Sequence, residues 1–270
     1  MTFAWHGLSK LLSGVAVSLL FQALAIAAPP LHIAAAADLA SCIAELNEGF
    51  AKTVGGAEVR TSTGSSGNFF AQIKNGAPFD VFLSADMDYP RELAKGRFAD
   101  PSTLEVYAHG QLLMWTVNPA LDLNAGLNLL SDPKVRHIAI ANPEVAPYGR
   151  AARAVLQQAG VWDSVKAKLV FGENVAQAAH FVDTGNAEVG FVGIAHVKSS
   201  KNPSGRAWPV PAALQPLMEQ GAIVTTKGSG NPLSLKYMDY LRTDGGRAIL
   251  RKCGFALPEK PIVKPVERHP

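Results

Sequence analysis

Short apolar runs alternate along the chain with segments in which apolar residues recur at helical spacing. The first kind of run is typical of buried β-strands and the second of amphipathic helices. Strands are predicted over residues 31–37, 57–63, 79–85, 111–117, 136–142, 168–174, 187–193 and 221–226. Helices are predicted over residues 39–50, 65–76, 147–160 and 233–253, and a further helix begins at Asn174.

This alternation of strands and helices predicts an α/β protein with mostly parallel sheets. The strands are short and almost continuously apolar, which is typical of sheets that are covered on both faces. The chain has no internal repeat of solenoid period and no low-complexity segment. A repeat protein and a disordered chain are therefore not expected.

The N-terminal segment has the features of a secretory signal peptide. Lys10 precedes an apolar run over residues 11–28, which contains two small-x-small cleavage patterns at 23–25 and 25–27 and is followed by Pro29 and Pro30. We expect a cleavable signal over residues 1–28 and a soluble periplasmic protein. A membrane anchor is the alternative, because the run is nearly long enough to span a bilayer. No Cys lies at the expected cleavage point, so a lipid anchor is not expected there.

Composition adds two constraints. The chain of 270 residues is 48% hydrophobic and 17% charged, which suits one large or two modest domains. Its net charge is +3 without any long basic run, so a nucleic-acid partner is not expected. Cys42 and Cys253 would meet an oxidising compartment. They either form a disulfide or serve as two buried small hydrophobes, and the second interpretation is preferred.

Four junctions share the order of buried strand, polar or glycine turn, and helix start. They are Ala37-Asp38-Leu39, Ser65-Ser66-Gly67, Pro147-Tyr148-Gly149 and Asn174-Val175. In parallel α/β sheets such turns lie at the carboxyl ends of strands, where ligands bind. Each helix start offers unpaired backbone N–H groups and the positive end of a dipole, which together suit an anion. The alternative is that these polar residues only cap their helices.

An enzyme is the rival class. Gly64-Ser65-Ser66-Gly67 does not meet the G-x-S-x-G spacing, so a secreted serine hydrolase using Ser66 is the less favoured alternative. The seven histidines lack metal-ligand spacing, and no P-loop or dinucleotide fingerprint is present, so no cofactor is expected. Asp80, Asp86 and Asp88 are interpreted as solvated or capping residues rather than as a cation site. Arg150 is interpreted as solvated, with anion attraction at a cleft mouth as the alternative.

Four motifs resemble those of periplasmic molybdate-binding proteins. "AAAADL", "GSSGNFFAQIKNGAPFDVFLSAD", "ANPEVAPYGRAA" and "ENVAQA" occur in the order and spacing of that family, and the resemblance covers residues 31–258. It implies a monomeric, type II-like periplasmic binding protein, whose two α/β lobes close on molybdate or tungstate through neutral hydrogen bonds. It also implies an ABC transporter permease and its ATPase as partners, with molybdenum bound only as molybdate. Another oxyanion, such as sulfate or phosphate, is the alternative ligand.

The resemblance also implies ligand-binding residues. Ser65 and Ser66 lie in the second motif, where the family's serine falls on Ser66. Tyr148 falls on the family's small or tyrosine position and would offer its backbone N–H and its hydroxyl. Val175 would offer its backbone N–H. Some members have a tyrosine where this chain has Gly193, and Tyr148 could take its place.

Asp38 departs from the family, which usually has Ser, Thr or Asn at this position. An ionised carboxylate about 4 Å from a dianion costs on the order of 4 kcal/mol per charge pair at an effective dielectric constant near 20. Three interpretations are open: Asp38 faces the ligand ionised, donates a proton to the ligand, or turns away and caps the helix that follows. The cap is preferred, because the helix predicted from Leu39 needs one.

The same resemblance implies a division of the chain. Lobe one is expected over residues 31–108 and 208–258, and lobe two over residues 109–207. Residues 259–270 are expected to form a flexible tail that is rich in proline.

Overall fold

The computed structural model describes residues 29–259. The predicted signal peptide and all but the first residue of the predicted tail lie outside the described residues. Among residues 29–259, none of the helices combines the length and the apolar composition needed to cross a bilayer.

The strands and helices of the described chain follow one another in mixed order. The strands are β1 (Leu31–Ala36), β2 (Val59–Gly64), β3 (Val81–Leu83), β4 (Glu105–Gly110), β5 (Leu112–Thr116), β6 (Ile138–Ala141), β7 (Leu169–Gly172), β8 (Val189–Gly193), β9 (Arg206–Pro209) and β10 (Met218–Val224). The α-helices are α1 (Ile43–Thr53), α2 (Ser66–Lys74), α3 (Asp88–Lys95), α4 (Pro147–Gln158), α5 (Trp162–Val165), α6 (Val175–Asp183), α7 (Ile194–Ser199), α8 (Pro232–Arg242) and α9 (Asp244–Lys252).

The strands form two sheets, one in each of two lobes. Their orders are β2-β1-β3-β10-β4 and β7-β6-β8-β5-β9. The α/β two-lobed fold class is thus confirmed. Both sheets are mixed rather than mostly parallel, because β10 is antiparallel to β3 and β4, and β5 is antiparallel to β8 and β9. The apolar pattern of a strand reports its burial but not its direction, so the sequence could not predict these antiparallel pairs.

The chain crosses between the sheets twice, between β4 and β5 and between β9 and β10. The structure differs here from the predicted divisions at 108/109 and 207/208. His109 still belongs to the first sheet, where it pairs with Glu219, and Trp208 belongs to the second sheet, where it pairs with Met114. Backbone pairing with distant strands decides where β4 and β9 end, and local sequence does not encode it.

Each sheet carries apolar clusters on both faces, as expected. In β1, Leu31 and Ile33 pack with α1, α8 and α9, whereas Ala34 faces the cluster of α2 and α3. In β6, Ile138 and Ile140 face α4, and Ala139 faces α6. Alternate side chains of a strand point to opposite faces of its sheet, so each buried strand contributes to two clusters.

Three local predictions need correction. Residues 37–39 form a 3-10 turn, and α1 begins only at Ile43. The predicted helix over 233–253 is two helices that meet at Thr243, whose side chain accepts a hydrogen bond from the Gly246 N–H and so begins a new helix. Strands β4 and β9 were not predicted, because both include polar residues and neither shows a continuous apolar run.

Candidate functional site

The four predicted junctions meet in one small pocket between the lobes. A cavity of about 10 Å³ is lined by residues 36–38, 64–66, 85, 146–148 and 174–175. Drug-sized ligands occupy pockets of about 300–1,000 Å³, so this pocket suits a much smaller ligand. It includes all the predicted site residues: Asp38, Ser65 and Ser66 from one lobe, and Tyr148 and Val175 from the other.

The two adjacent serines have different local bonds. Ser65 is the N-cap of α2, and its hydroxyl accepts a hydrogen bond from the Asn68 N–H at 3.4 Å. Ser66 is the first residue of α2, and its hydroxyl oxygen accepts from the buried Ala85 N–H at 3.0 Å. A hydroxyl has one proton to donate besides its acceptor sites. The Ser66 hydroxyl can therefore donate to a ligand while its oxygen stays fixed by Ala85.

Three helix starts supply backbone donors to the same pocket. Ser66 and Val175 are the first residues of α2 and α6, and Tyr148 follows Pro147 at the start of α4. The first N–H groups of a helix have no acceptor within the helix. No other residue in the range 29–259 accepts from these three N–H groups. Their dipoles and donors favour an anion.

The α6 helix start is fixed by a reciprocal cap. The Asn174 side chain accepts from the Gln177 N–H at 3.0 Å, and the Gln177 side chain accepts in return from the Glu173 N–H. This arrangement resembles a capping box, with the return bond coming from the N–H of Glu173, one residue before the N-cap. Because the cap binds other N–H groups, the Val175 N–H stays available to the pocket.

Asp38 does not cap a helix, so the preferred interpretation of this residue is wrong. It lies inside the 3-10 turn over Ala37–Leu39, and α1 starts beyond that turn after Cys42, which gives no side-chain cap. The Asp38 side chain is buried, with 6% exposure. It accepts a hydrogen bond from the Gln220 side-chain amide instead. The intervening turn moves the helix start away from the carboxylate.

A buried network connects Asp38 to both lobes. The Gln220 amide nitrogen donates to Asp38 Oδ2, and the Gln220 amide oxygen accepts from the Tyr107 hydroxyl at 2.7 Å. The Tyr148 hydroxyl, from the other lobe, accepts from the same Gln220 amide nitrogen at 3.4 Å. Asp38 Oδ1 has no hydrogen-bond partner among the described residues. Gln220 and Tyr107 are not among the residues predicted from the sequence, although a glutamine in the apolar β10 was a signal for a buried polar contact.

Burial controls the protonation of this network. It raises the pKa of Asp38 from 3.8 to about 6, although the hydrogen bond from Gln220 and the nearby Tyr148 hydroxyl oppose the shift. Burial, together with the nearby Asp38 carboxylate, also raises the pKa of Tyr148 well above its usual value, so this phenol stays protonated. Of the described residues that line the pocket, none is Lys, Arg or His. The donors that face the pocket are therefore neutral.

The ring of Tyr148 fills the space next to Gly193. A Cβ atom placed on Gly193 would lie 3.2 Å from the Tyr148 ring and hydroxyl, and one on Gly110 would lie 2.6 Å from the hydroxyl. A tyrosine at position 193 would therefore collide with Tyr148. This packing supports the expectation that Tyr148 takes the place of the tyrosine found in other members at position 193.

Contacts at the rim hold the two lobes together. The Arg150 guanidinium forms an ion pair with Asp86 and donates to the Tyr89 hydroxyl at 3.0 Å. The Gly67 N–H donates to the Val145 carbonyl at 2.8 Å, which is a second bond between the lobes. The Arg150 side chain is thus only partly exposed and its charge is paired with Asp86, so the interpretation of Arg150 as a solvated residue is corrected.

The acidic segment has structural roles. Asp80 is buried rather than solvated, and it accepts from the His32 N–H at 2.8 Å and from the Asn231 amide at 3.1 Å. Asp86 accepts from the Tyr89 N–H at 3.3 Å near the start of α3, as a capping residue would. Within residues 29–259, no cluster of His, Cys, Asp or Glu could hold a metal ion.

The hydrolase alternative lacks a base. A serine nucleophile needs an adjacent group that removes its proton. The Ser66 oxygen instead accepts from the Ala85 N–H, and no histidine is among the described pocket residues. The arrangement can bind a small anion, but among residues 29–259 no base accepts a hydrogen bond from the Ser66 hydroxyl.

Comparisons with known proteins agree with this geometry. Residues 31–256 match the family model described as bacterial extracellular solute-binding protein. The molybdate-binding protein ModA of Azotobacter vinelandii is 38% identical over 251 residues, which cover 93% of this chain and 98% of that protein. The solved periplasmic molybdate-binding protein of Azotobacter vinelandii superposes with a TM-score of 0.79 at 35% identity, covering 85% of this chain and all of that one. The substrate-binding domain of a putative molybdenum ABC transporter from Clostridium difficile superposes with a TM-score of 0.65 at 25% identity. This superposition covers 85% of this chain and 99% of that domain.

Proposed function

The chain belongs to the family of bacterial extracellular solute-binding proteins, and we propose that it binds molybdate or tungstate in the periplasm and delivers it to an ABC importer. As a member of this family it is a binding protein and not an enzyme. The identity of 38% to a molybdate-binding protein, over nearly the whole of both chains, supports this choice of ligand. The permease and the ATPase are proposed as partners because a similar solved domain belongs to a putative ABC transporter.

The observation that carries the proposal is the convergence of neutral donors from both lobes. The hydroxyl of Ser66 and the first free N–H groups of α2, α4 and α6 all reach one small pocket. A tetrahedral oxyanion offers acceptor atoms in every direction, so it can bind donors from both lobes at once. Such a ligand would stabilise the closed arrangement of the lobes by bridging them.

Asp38 is compatible with an anion because it can carry a proton. With a pKa of about 6, protonating it at pH 7 costs about 1.4 kcal/mol. Leaving it ionised next to a dianion would cost roughly 4 kcal/mol per charge pair at 4 Å. Proton uptake is the cheaper route, so we propose that Asp38 is neutral in the complex. Its unpartnered Oδ1 would then donate to the ligand.

Calorimetry of the mature protein against molybdate, tungstate, sulfate and phosphate tests the proposal. Donors fixed by helix starts fit one distance between oxygen atoms, so we expect the larger anions, molybdate and tungstate, to bind more tightly than sulfate. Equal affinity for sulfate and molybdate would refute this basis of selectivity. Tight binding of phosphate alone would identify a different oxyanion-binding protein.

Ser66→Ala should weaken molybdate binding. A lost hydrogen bond to a charged partner is worth roughly 1.5–3 kcal/mol, so the Kd should rise about tenfold or more. The variant also leaves the buried Ala85 N–H without its acceptor, which should lower the free energy of unfolding by about 1–3 kcal/mol.

Ser234→Ala is a matched control for this variant. Ser234 is also buried, but it lies in α8, and its hydroxyl has no partner among the described residues. Its replacement should leave the Kd unchanged. If Ser66→Ala melts earlier but binds molybdate as tightly as the original protein, then the hydroxyl serves only the fold.

A further inference from the structure

Two cysteines from opposite ends of the described chain meet in the first lobe. Cys42 immediately precedes α1, and Cys253 immediately follows α9. Both thiols are free and buried, with exposures of 3% and 8%. They belong to the same apolar cluster and lie close enough for each thiol to shift the pKa of the other. The binding site uses neither of them.

Neighbouring contacts fix the two helix ends against each other. The Lys252 ammonium lies 2.8 Å from both carboxylate oxygens of Glu45. Glu45 lies one turn beyond Cys42, and Lys252 is next to Cys253. Further along α1, a Cβ placed on Gly49 would come within 3.3 Å of the Ile249 side chain. The two helices therefore pack closely over more than one turn, and the contact of the thiols is part of this packing.

The two thiols differ in reactivity. The neighbouring Cys42 thiol and the charge of Lys252 lower the pKa of Cys253, although burial and the Glu45 carboxylate oppose this shift. The neighbouring Cys253 thiol and burial raise the pKa of Cys42. The thiolate is the nucleophile in thiol–disulfide exchange. Cys253 would thus attack first, and Cys42 would complete the bond.

We propose that Cys42 and Cys253 form a disulfide that joins α1 to α9 in the oxidising compartment where the protein works. The oxidant is a disulfide compound or a dithiol oxidase of that compartment. Cys253 attacks a sulfur of the oxidant, which releases one oxidant thiol and leaves a mixed disulfide. Cys42 then attacks the Cys253 sulfur and releases the second oxidant thiol. The two protein thiols lose two electrons and two protons, and the oxidant takes up both.

This bond would close a loop that contains almost the whole described chain. Disulfides stabilise proteins by restricting the unfolded state, and the effect grows with the length of the loop. For a chain of this size, the typical stabilisation by a disulfide corresponds to a rise in Tm of about 5–15 °C. The proposal does not depend on which anion the cleft binds.

Mass spectrometry of the full-length mature protein tests the proposal. The purified chain is equilibrated with oxidised glutathione, unfolded without reductant and treated with a maleimide. We expect no maleimide on the monomer and a mass lower by two hydrogen atoms than that of the reduced protein. After reduction, the same protein should take up two maleimides and melt about 5–15 °C lower.

The double variant Cys42→Ser/Cys253→Ser is the control. Its Tm should match that of the reduced original protein and should not respond to the oxidant. Two maleimides on the glutathione-treated protein would overturn the proposal. A stable glutathione adduct on Cys253, or a dimer linked through these cysteines, would overturn it as well. Molybdate calorimetry on the same samples distinguishes this failure from a failure of the proposed function.

Discussion

Replacing Asp38 by Asn tests whether the pocket binds its anion with a neutral side chain. The substitution keeps the size of the residue and the acceptor for the Gln220 amide, but it removes the ionisable group. The original protein should therefore change with pH in both stability and affinity. The variant should lose the part of each change that comes from Asp38.

The stability effect follows from the raised pKa. Burial shifts the pKa of Asp38 from 3.8 to about 6, so the folded protein holds this proton more tightly than the unfolded chain. The contribution of the group to stability is complete below pH 3.8 and is lost as the pH rises through 6. The shift of about two units corresponds to about 3 kcal/mol. Between about pH 3.5 and pH 7.5, the original protein should lose about 3 kcal/mol of free energy of unfolding that Asp38→Asn does not lose. The difference in stability between the two proteins should therefore shift by that amount in favour of the variant.

The affinity effect has the same origin. If the dianion binds only when Asp38 is protonated, binding takes up a proton above pH 6. The Kd of the original protein should then rise with pH, by up to about tenfold per pH unit well above pH 6. Half of Asp38 is still protonated at about pH 6, so the total rise between pH 6 and pH 8 should be about fiftyfold. The Kd of Asp38→Asn should not show this rise. Comparing the two proteins in the same buffers cancels any change in the protonation of the ligand itself.

The assay combines urea unfolding from pH 3.5 to pH 7.5 with molybdate calorimetry from pH 6 to pH 8 at constant ionic strength. Asp100→Asn is the control. The hydrogen bonds from Ser102 lower the pKa of Asp100, so its contribution to stability is present above its unfolded pKa and lost as the pH falls. Asp100→Asn should thus change stability with the opposite sign and keep the affinity profile of the original protein. Equal pH slopes of log Kd for Asp38→Asn and the original protein would refute the reasoning.

Two further substitutions test the contact between the lobes and the position of Tyr148. Arg150→Met removes the bonds to Asp86 and Tyr89. The closed arrangement of the lobes should lose about 1 kcal/mol, so the molybdate dissociation rate should rise about fivefold in stopped-flow experiments. A change in the association rate alone would instead indicate long-range attraction of the anion. Gly149→Ala places a Cβ 2.2 Å from the Ala141 carbonyl oxygen. This clash should lower the free energy of unfolding by about 1–3 kcal/mol in urea titrations. It should also displace the neighbouring Tyr148 and so weaken molybdate binding. Gly-to-Ala changes inside helices usually stabilise, so a more stable variant would contradict this packing argument.

The sequence alone determined the local elements and where the site had to lie. Apolar runs marked β1, β3 and β6, because a strand buried on both faces has few polar positions. The reciprocal cap of Asn174 and Gln177 was predictable, because both partners lie within one helical turn. The junctions after β1 and β2 lie side by side, as do those after β6 and β7, because neighbouring parallel strands end at one edge of a sheet. All these features depend on residues in the same element or in strands that neighbour each other along the chain.

Only the tertiary structure decided which distant groups meet. Asp38 looked like a helix cap, but its partner Gln220 lies 182 residues away and reaches it only after the chain has passed through the second lobe and returned. Arg150 looked solvated until the lobes placed Asp86 against it. The contact of Cys42 with Cys253 likewise depends on how α1 and α9 pack. Periodicity reports how deeply each element is buried, whereas the hydrogen-bond and ion-pair partners across elements are set by the packing of the whole chain.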